Sequence, residues 1–137
     1  MTPRESIEQE CARRGRGEVV AGCVALLVGG NVDAELILAL GGPPARWVVT
    51  GEPSGSPYWL RVWALRGLLW AWEDVALQSV EAALHDDAWR VREMALKVVA
   101  RHRLEDLLTT VAGLQDDPVA RVPAATSRAL IRLVASG

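Results

Sequence analysis

The sequence has few cysteines, few aromatic residues and no long apolar segment, and these shortages exclude several classes of protein. Cys11 and Cys23 are its only cysteines, which excludes the disulfide framework of small secreted domains; we interpret both as small apolar helix residues. The longest apolar run, residues 19–28, is about half as long as a bilayer span requires. No small-residue cleavage site follows it, so we expect a cytoplasmic protein without membrane contact.

Groups of residues that could carry out chemistry are also scarce. His85 precedes Asp86 and Asp87, but adjacent turn residues without a further His or Cys make a poor metal site. His102 falls on a predicted buried helix face, and no Ser or Cys nucleophile has a recognisable partner. No glycine-rich phosphate loop follows a strand, because no strand is predicted. We therefore predict no catalytic residue, no metal and no other cofactor.

Length and composition predict one folded domain, residues 1–137. Half of the residues are hydrophobic and 23% are charged, which is too apolar for intrinsic disorder, and the net charge is -2. A chain of this size buries roughly two thirds of its unfolded surface, which permits a core without disulfides or metals.

Glycine and proline divide the chain into segments with helical patterns. Residues 4–14, 18–28 and 33–40 are predicted helices, which form an N-terminal helical cap and a partial first repeat within residues 1–50. Residues 51–57, rich in Gly, Pro and Ser, are predicted to form a loop. From residue 58 to residue 137 a longer helix alternates with a shorter one.

The three long helices, predicted at residues 57–72, 88–103 and 119–135, repeat at an interval of 31. Matched positions form four columns: Leu60, Val91 and Val122; Ala64, Ala95 and Thr126; Leu68, Val99 and Leu130; Arg66, Lys97 and Arg128. Each of the last two long helices follows a pair of aspartates that we expect to cap it. Pro118 is expected in the first turn of the last helix, and Arg92 is expected to pair with Asp87 or Asp117.

The turns before these helices resemble those of the HEAT-like repeat family. Residues 87–92 (DAWRVR) and 117–122 (DPVARV) match the Asp-containing turn and the Val-Arg opening of the second helix in that family, although Pro123 replaces the second arginine. The resemblance covers residues 56–137 and implies an all-α, right-handed alpha-alpha solenoid whose second helices line a concave face. Families that share this fold include protein-binding scaffolds, phycobilin lyase-like proteins and bacterial alkylbase DNA glycosylases.

Helical periodicity of about 100° per residue places one arc of each long helix opposite its apolar face. The three arcs are Trp59, Val62, Arg66 and Trp70; Arg90, Glu93, Lys97 and Arg101; and Arg121, Ala124, Arg128 and Arg132. The long helices hold ten Lys and Arg against one acid, whereas residues 73–87 and 104–118 hold nine acids and no Lys or Arg. A mildly acidic chain is thus predicted to present one basic, partly aromatic face that attracts anionic partners.

This basic face has three interpretations: a solvated structural surface, a protein-binding surface or a nucleic-acid surface. We predict a non-enzymatic protein-interaction or scaffold module for a protein or peptide with acidic groups. The predicted partner-binding residues are Trp59, Arg66, Trp70, Arg90, Lys97, Arg101, Arg121, Arg128 and Arg132. The alternative is a nucleic-acid-binding protein resembling the HEAT-like alkylbase DNA glycosylases, in which Trp70, Trp72 and Asp74 would contact the damaged nucleotide; the negative net charge weighs against it.

The orientation of the tryptophans affects this choice. Trp47, Trp63 and Trp72 are predicted to be packed against other residues. Trp59 and Trp70 are either exposed on the predicted face or covered by the N-terminal helices and the loop.

Overall fold

The fold was obtained as a computed structural model that describes residues 1–30, 33–46 and 57–135. These residues form α-helices and short 3-10 turns and contain no β-strand, which confirms the all-α class. They belong to two compact units, residues 1–76 and 77–137, which are described in turn. The predicted packing of Trp47 and the predicted loop, apart from Pro57, lie outside the described residues.

The described residues of the first unit form four helices. They are α1 (Pro3–Arg14), α2 (Arg16–Leu27), α3 (Ala34–Gly41) and α4 (Tyr58–Trp70). A 3-10 turn, Pro43–Ala45, follows α3, and another, Asp74–Ala76, follows α4. Each helix begins and ends within two residues of its predicted bounds.

Side-chain caps start two of these helices. The Thr2 hydroxyl accepts a hydrogen bond from the Glu5 amide at 3.1 Å, and Pro3 occupies the first position of α1. At the start of α3, the Asp33 carboxylate accepts the Leu36 amide at 3.1 Å. Because these amides have no partner inside the helix, the caps fix where α1 and α3 begin.

Small residues allow the helices of the first unit to approach closely. A Cβ atom added at Gly67 on α4 would lie 2.6 Å from Cδ2 of Leu40 and 2.7 Å from Sγ of Cys23. A Cβ atom added at Gly22 on α2 would lie 2.3 Å from Cδ2 of Leu36. The contacts of α2 with α3 and α4 therefore depend on glycine at these positions.

An ion-pair network joins the carboxyl end of α1 to the amino end of α3. Arg14 contacts Asp33 at 2.6 Å (Nη1–Oδ2), and Arg13 contacts Glu35 at 3.1 Å (Nη2–Oε2). Both arginines also pair with Glu10 within α1, at 2.9 Å from Arg13 and 2.8 Å from Arg14. Most of these side chains are substantially exposed, so the network fixes orientation more than it adds stability.

Four helices are also found in the described part of the second unit, residues 77–135. They are α5 (Leu77–Ala83), α6 (Trp89–His102), α7 (Leu108–Gly113) and α8 (Arg121–Ala135). Two further 3-10 turns, Glu105–Leu107 and Leu114–Asp116, flank α7. The two long helices, α6 and α8, pack against each other through a core that includes Val99 and Ala129.

The aspartates before the long helices form turns and not the predicted caps. The N-cap residue of α6 is Ala88, which has no capping side chain. The Asp86 carboxylate instead accepts the Ala88 amide at 2.9 Å, and the Asp117 carboxylate accepts the Val119 amide at 3.0 Å. These bonds close equivalent turns 31 residues apart, before the helix begins.

Pro118 also lies outside its predicted position. Since α8 begins at Arg121, Pro118 precedes the helix and does not occupy its first turn. The expected pairing of Arg92 with Asp117 is confirmed, with 2.7 Å between Nε and Oδ2. Asp87 contributes its main-chain carbonyl to Arg92, at 3.1 Å.

Candidate functional site

All six predicted partner-binding residues of the second unit are exposed cations. They are Arg90, Lys97 and Arg101 on α6, and Arg121, Arg128 and Arg132 on α8. We call these six residues the basic surface. On each helix the cations are spaced seven and four residues apart, so they form one stripe along the helix.

Three members of the basic surface have no acidic partner among the described residues. Lys97, Arg128 and Arg132 form no ion pair with any part of the chain that the structure describes. No described acid compensates their charges, which leaves them available to an anionic partner.

The amino end of the basic surface is organised around Glu93. Its carboxylate lies 2.9 Å from Nε of Arg121, and its side chain is only 10% exposed. The helical periodicity had placed Glu93 on the solvent-facing arc, and this prediction is wrong because α8 covers it. The equivalent position on α8 is Ala124, which is exposed and has no charge.

A residue without a predicted role, Trp89, lies at the same end. The guanidinium carbon of Arg90 is 4.4 Å from the ring centroid of Trp89, and that of Arg121 is 5.5 Å away. Such distances correspond to cation-π contacts, so the half-buried ring orients two cations of the basic surface. The adjacent Trp-Arg pair in the sequence was the signal that could have identified it.

Apolar side chains accompany the cations on α8. Ile131 and Val134 are 67% and 71% exposed, one helical turn apart. Ile131 lies next to Arg132 and one turn after Arg128 along the helix. The exposed part of α8 thus combines unpaired positive charge with apolar area, a combination typical of recognition surfaces.

The three predicted site residues of the first unit, Trp59, Arg66 and Trp70, are half-buried. The guanidinium carbon of Arg4, on α1, lies 4.8 Å from the ring centroid of Trp70, which agrees with the interpretation that the N-terminal helices cover this ring. The ring of Trp59 is 6.2 Å from that of Trp63. Arg66 donates hydrogen bonds from Nε and Nη2 to the main-chain carbonyl of Leu40 at the end of α3.

The remaining tryptophan predictions have different outcomes. Trp63 is buried, as expected. Trp72 is only half-buried, and its indole N–H donates to the exposed carboxylate of Asp74 at 3.2 Å. Two of the three residues considered for a glycosylase-like site are therefore bonded to each other.

The other groups of chemical interest among the described residues are the two thiols and the possible metal ligands. Cys11 is half-buried and Cys23 is buried, and both are free thiols. Burial raises the pKa of Cys23 to about 12, so this thiol is protonated and unreactive at neutral pH. Within residues 1–30, 33–46 and 57–135, no three His, Cys, Asp or Glu side chains cluster as metal ligands would.

Comparisons with known proteins add no family assignment. No family model matches this chain, and neither a curated protein nor a solved structure shows significant similarity to it. None of the described helices combines the length and the apolar character that crossing a membrane requires.

Proposed function

We propose that this protein is a non-enzymatic interaction module that binds an acidic protein or peptide segment on the basic surface of α6 and α8. The observation that carries the proposal is that Lys97, Arg128 and Arg132 are exposed and have no acidic partner among the described residues. Carboxylates of a partner would supply the missing counter-charges, and each arginine can hold a carboxylate through two hydrogen bonds.

The exposed apolar side chains of α8 also suit a partner that contains apolar residues. Ile131 and Val134 would bury apolar area against a partner whose apolar residues alternate with acids. Trp89 holds the guanidinium groups of Arg90 and Arg121 in place before binding. Because the cations stand on packed helices, association would order few groups, which reduces its entropic cost.

We further propose that the helices form a right-handed alpha-alpha solenoid of HEAT-like repeats in a bacterial, cytoplasmic protein. The four columns of matched residues support this proposal, as do the equivalent turns closed by Asp86 and Asp117. Stacked repeats of this kind present side chains at constant spacing, which suits recognition of an extended partner.

Nucleic-acid binding is the second candidate function, because phosphates could also neutralise the basic surface. The charge balance of the second unit favours the protein partner. Residues 77–137 contain eight Lys and Arg and eight acids, so long-range attraction to a polyanion is weak. The hydrogen bond between Trp72 and Asp74 also occupies the carboxylate that a glycosylase-like site would use.

Fluorescence polarisation with two defined probes tests the proposal. One probe is a set of short labelled peptides that alternate Asp or Glu with Leu or Ile, and the other is a labelled DNA duplex. We expect saturable peptide binding that weakens about tenfold or more in Arg128→Glu, since reversing the charge replaces attraction by repulsion. Arg46→Glu is the matched control, because it makes the same charge change at an exposed residue of the first unit.

The salt dependence separates the two candidates. Duplex binding should fall steeply between about 50 and 300 mM salt, whereas a site with apolar contacts should be less sensitive. If the protein binds the duplex more tightly than the peptides, and if this binding is sensitive to salt, the nucleic-acid alternative would replace the proposal. Equal peptide affinity in Arg128→Glu and Arg46→Glu would contradict the proposed location.

A further inference from the structure

The first unit contains a cleft of about 330 Å³ between α1, the carboxyl end of α3 and α4. Its walls are mostly apolar and include Pro3, Leu40, Pro43 and Pro44. Arg66 from α4 also lines it. The volume equals that of roughly ten water molecules, which is enough for a short organic acid.

Arg66 brings to this cleft a positive charge that no described acid compensates. The side chain forms no ion pair with the described residues, and its only hydrogen-bond acceptor among them is the Leu40 carbonyl. The carboxyl end of α3 supplies only about half a negative charge. Burial lowers the pKa of Arg66, and no acid among the described residues opposes the effect. A half-buried guanidinium of this kind gains stability from any anion that can reach it.

The other polar groups of the cleft define the charge and size of that anion. Ser6 donates its hydroxyl proton to the Ala39 carbonyl at 2.7 Å, so it is not available as a donor to a ligand. Arg66 still has N–H groups beyond the two bonded to Leu40, and these can form a charge-assisted bond to one carboxylate. Among the described residues that line the cleft, Arg66 has the only charged side chain, and the walls around it are mostly apolar. A ligand with one negative charge and an apolar body matches this lining.

We propose that this cleft binds a small apolar monocarboxylate, whose carboxylate pairs with Arg66 and whose hydrocarbon contacts Pro3, Pro43 and Pro44. The carboxylate could belong to a free short-chain acid or to the apolar carboxyl terminus of a peptide. This site lies within the first unit and does not depend on the basic surface of α6 and α8.

Titration of the ¹⁵N-labelled protein by NMR tests the proposal with hexanoate as the probe and hexanamide as its neutral counterpart. With hexanoate, we expect saturable changes in the chemical shifts of the backbone amides of Ser6, Gly41 and Gly42. With hexanamide, the changes at these amides should be much smaller. A further probe, acetyl-Ala-Leu with a free carboxyl group, distinguishes a peptide carboxyl terminus from a free acid as the source of the carboxylate. Stronger binding of this peptide than of hexanoate indicates a chain terminus, and the reverse order indicates a free acid.

Substitutions at two arginines test whether the carboxylate binds at Arg66. Arg66→Gln should weaken hexanoate binding about tenfold or more, since a charge-assisted bond is lost. Arg46→Gln, at an exposed arginine on the turn beside the cleft but not lining it, should bind hexanoate as the unsubstituted protein does. Equal shifts with hexanoate and hexanamide in the unsubstituted protein would overturn the proposal, even if Arg66→Gln failed to fold.

Discussion

Two hydrogen bonds join the guanidinium of Arg92 to the carboxylate of Asp117, at 2.7 Å (Nε–Oδ2) and 3.1 Å (Nη2–Oδ1). The two side chains are only 14% and 5% exposed. From Nη1, Arg92 also donates to the main-chain carbonyls of Asp86 and Asp87. One side chain on α6 thus holds together the turn before its own helix and the turn before α8.

Removal of this guanidinium should destabilise the protein. Arg92→Met keeps most of the side-chain volume but leaves the Asp117 carboxylate nearly buried and without its cation. We expect the free energy of unfolding to fall by about 2 kcal/mol. Urea unfolding measures this loss against Arg128→Met, an exposed arginine without an ion pair among the described residues, for which the change should stay within about 0.5 kcal/mol. Equal midpoints for the two variants would show that the ion pair adds nothing.

Acid should also weaken the folded state, because three carboxyl groups have lowered pKa values. Burial by itself would raise the pKa of Asp117, but the bonds from Arg92 and from the Val119 amide lower it overall. The hydrogen bond from Arg14 lowers the pKa of Asp33, and that from Arg13 lowers the pKa of Glu10. The unfolded chain therefore binds these protons more tightly than the folded protein does.

The contribution of these groups is complete above the ordinary carboxyl pKa and is lost as the pH falls through the lowered values. Urea midpoints measured from about pH 7 down to about pH 3 should decrease. Asp117→Asn keeps an oxygen for the Val119 amide but cannot titrate, so it should be less stable at neutral pH and lose less on acidification. Parallel pH curves for both proteins would exclude Asp117 as a contributor.

A methyl group at Gly67 should disturb the core of the first unit. Gly67→Ala would place Cβ within 2.7 Å of both Leu40 and Cys23, so one of the helices must move. We expect the free energy of unfolding to fall by about 1–3 kcal/mol. Gly113→Ala is the control: this residue is also helical, and nothing lies within 4 Å of its added Cβ, so it should be neutral or stabilising. Thermal denaturation of both variants checks the contrast.

Arg103 offers a stabilising substitution. This residue ends α6 in the left-handed conformation, with φ 51° and ψ 57°. That conformation is unfavourable for residues that have a Cβ atom. Arg103→Gly should raise the free energy of unfolding by about 0.5–1 kcal/mol. Arg103→Ala removes the same charge but keeps Cβ, so it should bring no such gain. If both variants melt at the same temperature, backbone strain at this position is negligible.

The two cysteines should differ in reactivity. Cys11 is half-buried on α1, whereas Cys23 is inaccessible and its pKa is raised to about 12. In the folded protein, iodoacetamide at mildly alkaline pH should modify Cys11 first and reach Cys23 only after urea is added. Peptide mass spectrometry over time distinguishes the two sites. Alkylation of both at the same rate without urea would mean that α2 separates readily from α4.

Local sequence patterns predicted the helices and the exposed cations of the second unit well. The columns at an interval of 31 placed α6 and α8 to within two residues, because apolar periodicity determines which side of a helix is buried. The same periodicity predicted that Lys97, Arg128 and Arg132 face solvent.

Contacts between distant segments explain what could not be predicted. The burial of Glu93 depends on Arg121, which lies 28 residues later in the chain. Arg66 is oriented towards the end of α3 by its hydrogen bond to the Leu40 carbonyl, 26 residues earlier. Trp70 is contacted by Arg4 from the first turn of the chain. Helical periodicity contains no information about which helix packs on which, so these side chains were assigned to an exposed arc.

Two described ion pairs hold the amino end of α8: Asp117, in the turn before the helix, pairs with Arg92, and Arg121, the first helical residue, pairs with Glu93. Its carboxyl half is retained by the buried Ala129 and Leu133 without a described ion pair. We therefore expect fraying of α8 to start at the carboxyl end and to proceed towards Arg121. Amide hydrogen exchange should slow steadily in that direction, so that the helix detaches by graded opening before any global unfolding.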